Sequence, residues 1–319
     1  MFRYVSSTAL VCVTAMSAQA QDLSYAAASI DYRSASIHDS ELATTAFSGA
    51  VEGTYDSFYV GAIATFQSFD FSIDSLANEI EATDYSLSLG YFITPEILVG
   101  ASVSGAKLDG FMMSDTVSGY EVFGQYVTDR FGVGLTYVEP NTDIDDFSVI
   151  QLVGTAEVAA GFDVTALVES YEVSESESYY LGAGYTTGPV TARGYLLGSS
   201  DTEDKLYGVI GGYEIGSGIS LTASYETATD SVVSADYYAV SVGAGYEVVP
   251  GVRVDGRVGR FSVDGGSEFD TFGFSVSYEM GDRIRLSRSV VEQARDDITK
   301  GFFGILPTAG IGSILGGNI

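Results

Sequence analysis

Between Asp236 and Phe261 the chain reads DYYAVSVGAGYEVVPGVRVDGRVGRF. Tyr238, Val240, Val242, Ala244, Tyr246 and Val248 take alternate places, with Ala239, Ser241, Gly243, Gly245 and Glu247 between them. After VPG the alternation resumes, Val252, Val254, Gly256 and Val258 against Arg253, Asp255 and Arg257. A period of two is the strand period and puts the two sets on opposite faces. Such segments fall at roughly 23–33, 43–55, 57–69, 82–93, 96–107, 117–128, 131–140, 147–158, 161–172, 178–187, 189–199, 205–215, 218–228, 234–248, 251–263 and 269–280. Each is about 11 residues, the length that crosses a bilayer core as a tilted strand.

The joints alternate as well. TP, DR, AG, Gly188, GSG and VPG are tight-turn residues, whereas SASIHDSEL, DFSIDSLANEI, LDGFMMSDT, NTDIDD and SDTED are longer and more acidic. Short turns on one side and longer loops on the other are the signature of an outer-membrane barrel with its turns toward the periplasm. A soluble barrel of sixteen strands would have to fill its interior with apolar side chains, which cannot reach across. The apolar face must then look outward into lipid, and the polar face must line a lumen. The sequence predicts a transmembrane antiparallel β-barrel of about 16 strands, closed so that no strand edge meets lipid.

The N-terminus reads as an export signal: the basic start MFR, the apolar run YVSSTALVCVTAM, and SAQA with small residues at Ala18 and Ala20. Three regions follow from this: a cleavable signal at 1–20, a barrel at 21–280 and a C-terminal tail at 281–319. The single cysteine, Cys12, leaves with the signal, so neither a disulfide nor a thiolate metal site is expected. Lys and Arg number 14 against 43 Asp and Glu, a formal charge of −29. That balance argues against nucleic acid as a partner and favours cations.

The signal, the sixteen segments, the short-turn and long-loop rhythm and the repeated strands LGAGYTTGP and VGAGYEVVPG resemble the Gram-negative general porins, most nearly their alphaproteobacterial branch. The resemblance covers about 21–280 and is one of architecture. It implies a sixteen-stranded barrel, usually a homotrimer, passing small hydrophilic solutes by diffusion; beside it, the acid excess adds cations to the expected solutes, outer-membrane lipid and lipopolysaccharide are the expected surroundings, and neither cofactor, metal nor enzymatic activity is expected. Two departures stand out. The third long-side joint, LDGFMMSDT, is short where such porins fold a long loop into the channel. The last strand, FGFSVSYEM, is followed by a further tail rather than ending the chain.

Glu52, Glu157, Glu214, Glu247 and Glu279 fall on the polar face near the turn ends of even-numbered strands, and are expected to form a carboxylate collar that favours cations. Asp255 joins them as a lumen acid. Arg33, Arg193, Arg253 and Arg257 are assigned to the lumen face, since an arginine facing mid-bilayer lipid costs about 2–4 kcal/mol. They are read either as the positive side of a transverse field or as structural partners of acids such as Asp255 and Glu279. At Gly259 the alternation slips, and a bulge there would re-aim Arg260. Tyr213, Tyr246 and Tyr278 recur beside the tight turns and fit an interfacial aromatic girdle. Loop acids Asp143, Asp145, Asp146, Asp201, Glu203 and Asp204 lack EF-hand spacing and read as solvated loop. His38, the only histidine, has no nucleophile in an evident relation to it.

The tail RIRLSRSVVEQARDDI is basic early, and Ile284, Val291 and Ile298 give a helical spacing; GFFGILPTAGIGSILGGNI after it is apolar and Gly-rich. The expected location is the periplasm, with a lumen plug or a partner-binding segment as alternatives. The competing functional readings are a non-conducting barrel plugged or anchored by this tail, and a soluble all-β protein.

Overall fold

The computed structural model describes residues 22–299 except 38–39, 74–75, 111–112, 142–147, 173–175, 201–204, 231–234, 264–265 and 267. The signal with Cys12, His38 and the six loop acids lie outside the described residues.

Sixteen strands form: β1 (Asp22–Ile37), β2 (Ser40–Tyr55), β3 (Phe58–Ile73), β4 (Leu76–Thr94), β5 (Ile97–Gly110), β6 (Met113–Val127), β7 (Phe131–Asn141), β8 (Val149–Ala159), β9 (Phe162–Tyr171), β10 (Ser176–Thr187), β11 (Val190–Ser199), β12 (Lys205–Gly216), β13 (Ile219–Asp230), β14 (Ala235–Val249), β15 (Val252–Val263) and β16 (Glu268–Gly281). Each pairs antiparallel with its chain neighbours, and β1 closes on β16 with Ile30 opposite Val276. The result is a closed barrel with no free edge.

Burial along the wall is inverted relative to a soluble protein. In β4, Ser86 and Ser88 are 3% and 0% exposed, while Leu87 and Leu89 between them are 48% and 60% exposed. Hydroxyls point inward and aliphatics outward, as a lipid-facing wall requires. Among the described residues no helix is long and apolar enough to cross a membrane.

At the first three long-side joints the strands carry on to Ile37, Ile73 and Gly110, so only two residues separate each pair and the wall itself rises. Toward the long-side end of β15 the faces exchange character. Phe261 turns inward, with ring centroids 5.7 Å from Tyr237 and 5.6 Å from Phe269. Arg260 stays outside, bonded to Asp270 and Glu268 at 3.0 Å. The apparent slip at Gly259 is this exchange. Gly259 pairs in unbroken register with Ser241 and Thr271, so the anticipated bulge is absent.

At the other end the chain does not leave the barrel. Gly281 ends β16 at φ 75°, where an added Cβ would strike the carbonyl of Ser24. Only glycine meets both conditions at no steric cost. From this pivot residues 282–285 turn inward to α1 (Leu286–Thr299), which lies along β7, β8, β9 and β12. Its packed stripe is Leu286, Val290 and Ala294, one cluster with Val153 and Leu167 of the wall. These places, four apart, share one helix face. The expected stripe differs: Ile284 precedes the helix and packs near Tyr59, Leu98 and Phe123, and Val291 is only partly buried. Thus 282–299 occupies the lumen, the location ranked behind the periplasm on sequence grounds.

Candidate functional site: a lumen divided by an internal helix

The wall provides the groups that a helix start lacks. The first N–H groups of a helix have no partner within it. Here Glu52 Oε2 accepts from Ile284 N–H at 2.5 Å and from Arg285 N–H at 3.3 Å, and Gln125 Oε1 accepts from Leu286 N–H at 2.8 Å. Gln125 also donates to the carbonyl of Ile284 at 2.7 Å. A carboxylate at this end also suits the positive pole of the helix dipole.

Two arginines then reach into the wall. Arg285 pairs with Glu121, donates to Ser102 Oγ at 3.0 Å, and lies 4.2 Å over the ring of Phe123. Arg288 donates to Ser86 at 2.8 Å and Ser88 at 2.5 Å, with Glu52 at 3.7 Å. Burial pulls the Arg288 guanidinium below its usual range, though a guanidinium keeps its charge at any physiological pH. At the far end Asp297 accepts from Tyr180 at 2.5 Å and pairs with Arg193 at 3.3 Å, while Tyr195 donates to its backbone carbonyl at 3.1 Å. The helix is therefore tied to β2–β6 at its start and to β10–β11 at its end.

Beside the helix an open cavity of about 840 Å³ remains, reaching from Glu279 and Asp282 near the turn end to Phe69 and Ala239 toward the other. Arg33, Arg193, Arg253 and Arg257 all line it, as does Asp255. Three of the four do so as ion pairs: Arg253 with Asp255 at 2.9 Å, Arg33 with Asp31 at 3.8 Å, and Arg193 with Asp163 at 3.1 Å. For Arg33, Arg193 and Arg253 the contacts are to acids of the wall itself.

The collar glutamates divide. The backbone N–H groups of Glu157, Glu214, Glu247 and Glu279 each donate across a tight turn, to the carbonyls of Arg130, Pro189, Gly218 and Gly251 at 2.7–2.9 Å. They therefore sit on one rung at the mouth. The same rung carries Phe92 and Val127 where the helix enters. The acids thus form an arc rather than a ring. Glu52 is not part of it: it faces inward but is only 1% exposed, sealed beneath α1, because its partners are the helix start and Tyr59.

Tyr213, Tyr246 and Tyr278 stand exposed on the outer face opposite Val190, Ile219 and Val252, the first residues of their partner strands. Tyr91, Tyr126 and Tyr185 hold the same place opposite Phe58, Ile97 and Phe162. This extends the belt to six tyrosines. Glu121, Ser86, Ser88, Ser102, Tyr180 and Asp297 were not anticipated as site residues. An acid in mid-strand on the polar face, set against a basic tail, was the one available signal.

Among the described residues no group of three or more His, Cys, Asp or Glu side chains could hold a metal ion. No family model matches the chain, and no curated protein matches it. Solved structures do. OpdK from Pseudomonas aeruginosa, determined with vanillate, matches at TM-score 0.52 and 11% identity, covering 82% of this chain and 98% of that one. OpdQ from the same organism matches at 0.51 and 12%, covering 82% and 99%. OccAB2 from Acinetobacter baumannii matches at 0.52 and 8%, covering 82% and 98%. A further OpdK structure, at TM-score 0.51 and 12% identity, is described as an outer membrane protein. The fold is that of an outer-membrane barrel. At these identities the likeness reaches architecture and no further.

Proposed function

We propose that the chain is an outer-membrane porin, exported by its signal segment, whose water-filled passage runs between α1 and the wall formed by β13–β16 and β1–β3. The observation that carries this reading is the cavity of about 840 Å³, with arginines, several acids and hydroxyls among its lining, inside a closed barrel with an apolar exterior. Small hydrophilic solutes pass by diffusion. The arc of Glu157, Glu214, Glu247 and Glu279 at the mouth favours cations over anions. The tyrosine belt sits at the membrane interface, with lipid and lipopolysaccharide as its surroundings. A homotrimer and the alphaproteobacterial branch remain part of the reading on the strength of strand texture alone.

The test is the reversal potential of the mature protein in a planar bilayer under a KCl gradient. Steady channels with a potential toward the potassium limit are the expected result. A potential at zero removes the cation preference, and stable insertion without current removes the open passage.

A second reading has a specific observation behind it. The ties at both ends of α1 favour a barrel that is closed at rest, plugged by its own tail. Deleting 281–319 separates the two readings. A large rise from near-silence supports the plug, and a modest rise on an existing current supports a passage beside the helix.

A further inference from the structure

The groups that receive Arg285 and Arg288 form one continuous socket in the wall. Its floor is a ladder of serines: Ser88 and Ser102 share a hydrogen bond of 2.7 Å, and Ser86 lies next along the same face of β4. Its rim is the two carboxylates, Glu52 and Glu121, 1% and 3% exposed. Tyr59 donates to Glu52 at 3.1 Å and fixes its orientation. The ring of Phe123 forms a flat side against which one guanidinium lies.

This layout suits a planar fork rather than a point charge. Arg285 uses separate nitrogens for separate partners: Nη2 for Glu121, Nη1 for Ser102 and Nε for Ser287 Oγ at 2.9 Å. A lysine ammonium is a compact, strongly hydrated charge without the flat face or the spread of donors. Two polar atoms in and beside the socket are left over. Ser104, across the ladder from Ser86, is 4% exposed and its hydroxyl has no hydrogen-bond partner; nor has Nη1 of Arg288.

We propose that this socket is a guanidinium-recognition site, filled in cis by Arg285 and Arg288, which takes guanidinium-bearing solutes from water when the tail is withdrawn. The tail thereby acts as a tethered ligand. The tether is short, with Arg285 four residues past the Gly281 pivot, so the cis arginines enjoy a high effective concentration. The inference does not depend on whether the barrel conducts.

The test follows tail docking by trypsin cleavage after Arg283 in the full-length folded barrel, read by mass spectrometry. Wild type, Arg285→Ala/Arg288→Ala and Arg285→Lys/Arg288→Lys are compared, with heat modifiability on gels as the check on the barrel. The wild type is expected to be protected. The alanine pair should be cut about tenfold faster or more, since it strands two buried carboxylates. The lysine pair should behave like the alanine pair despite its charge. Millimolar ethylguanidinium should restore protection to the alanine pair saturably, and ethylammonium should not, each rate being divided by that of an unstructured Arg-containing peptide in the same tube to remove trypsin's own affinity for the cation. The proposal is overturned if the lysine pair is protected like wild type, if the alanine pair stays protected, or if the two small cations act alike, including if neither protects. Should the alanine pair fail to fold, Arg288→Ala alone keeps the Arg285–Glu121 contact and gives the same comparison of cations.

Discussion

Arg285, four residues past the last strand, forms a buried ion pair with Glu121 in the middle of β6, 164 residues earlier in the chain, and both side chains are 4% exposed. A charge pair so far from water is costly to break from one side, because the remaining charge has no partner and no solvent. Glu121→Ala should cost helix docking about 3–5 kcal/mol. Arg285→Ala should cost a similar amount, and Glu121→Ala/Arg285→Ala much less than the sum of the two, since neither charge is then stranded. Amide hydrogen exchange across 286–294 would measure each value. Additive single and double variants would show that the pair does not hold the helix.

The far end is tied by different chemistry and should loosen separately. The Tyr180 hydroxyl donates to the Asp297 side chain, whereas the single proton of the Tyr195 hydroxyl is shared between the nearer Glu226 carboxylate and the Asp297 carbonyl at 3.1 Å. A hydrogen bond to a charged group contributes about 1.5–3 kcal/mol, and a neutral one nearer 1. Tyr180→Phe should therefore raise exchange at 294–299 more than Tyr195→Phe does. Neither should alter exchange at 286–290, which the socket holds. A uniform rise along the helix would mean that it docks as one cooperative unit.

On the proposed reading, position rather than charge count decides selectivity at the mouth. Glu214→Gln/Glu247→Gln/Glu279→Gln removes three of the four acids of the exposed arc and should lower the proposed potassium preference severalfold, read as a reversal potential moving toward zero. Glu52→Gln removes an equal charge per site but from beneath the helix. It should leave selectivity near wild type and weaken docking instead. If Glu52→Gln moves the reversal potential as much as the triple variant does, the sealed position of Glu52 is not what governs it.

The barrel was legible because its information is local. Alternation in β4 or β14 and a tight turn such as VPG can be read within a dozen residues, and sixteen such units fix the wall and its two faces. The tyrosine belt was half legible for the same reason: Tyr213, Tyr246 and Tyr278 stand beside obvious turns. The inside was not legible. Arg285 and Arg288 look like a solvated basic face until Glu121 and Glu52 are brought around the barrel to meet them. The packed stripe ends in Ala294, too small to mark a periodicity, so Ile284 and Val291 gave the stronger and misleading signal, the Ile298 side chain lying outside the described ones. Phe261 and Arg260 misled in another way. The strand continues past the apolar band, where the faces no longer obey the same rule.

The stripe itself offers the last prediction. Ala294 is fully buried between α1 and the wall, in one cluster with Val153, Leu167 and Tyr195. Interiors pack densely, so added volume forces side chains from their preferred rotamers at about 1–3 kcal/mol. Ala294→Leu should shift the docking equilibrium by that amount and raise open-channel noise in the bilayer, as the helix samples withdrawn positions. Ala294→Gly changes little volume but costs about 1 kcal/mol of helix propensity. It should loosen docking without pushing the helix from the wall. Thermal melts of the barrel should move for neither, because the sixteen-strand ladder does not pass through α1. A barrel melt that falls with Ala294→Leu would make the helix part of the folded core rather than a separable occupant of the lumen.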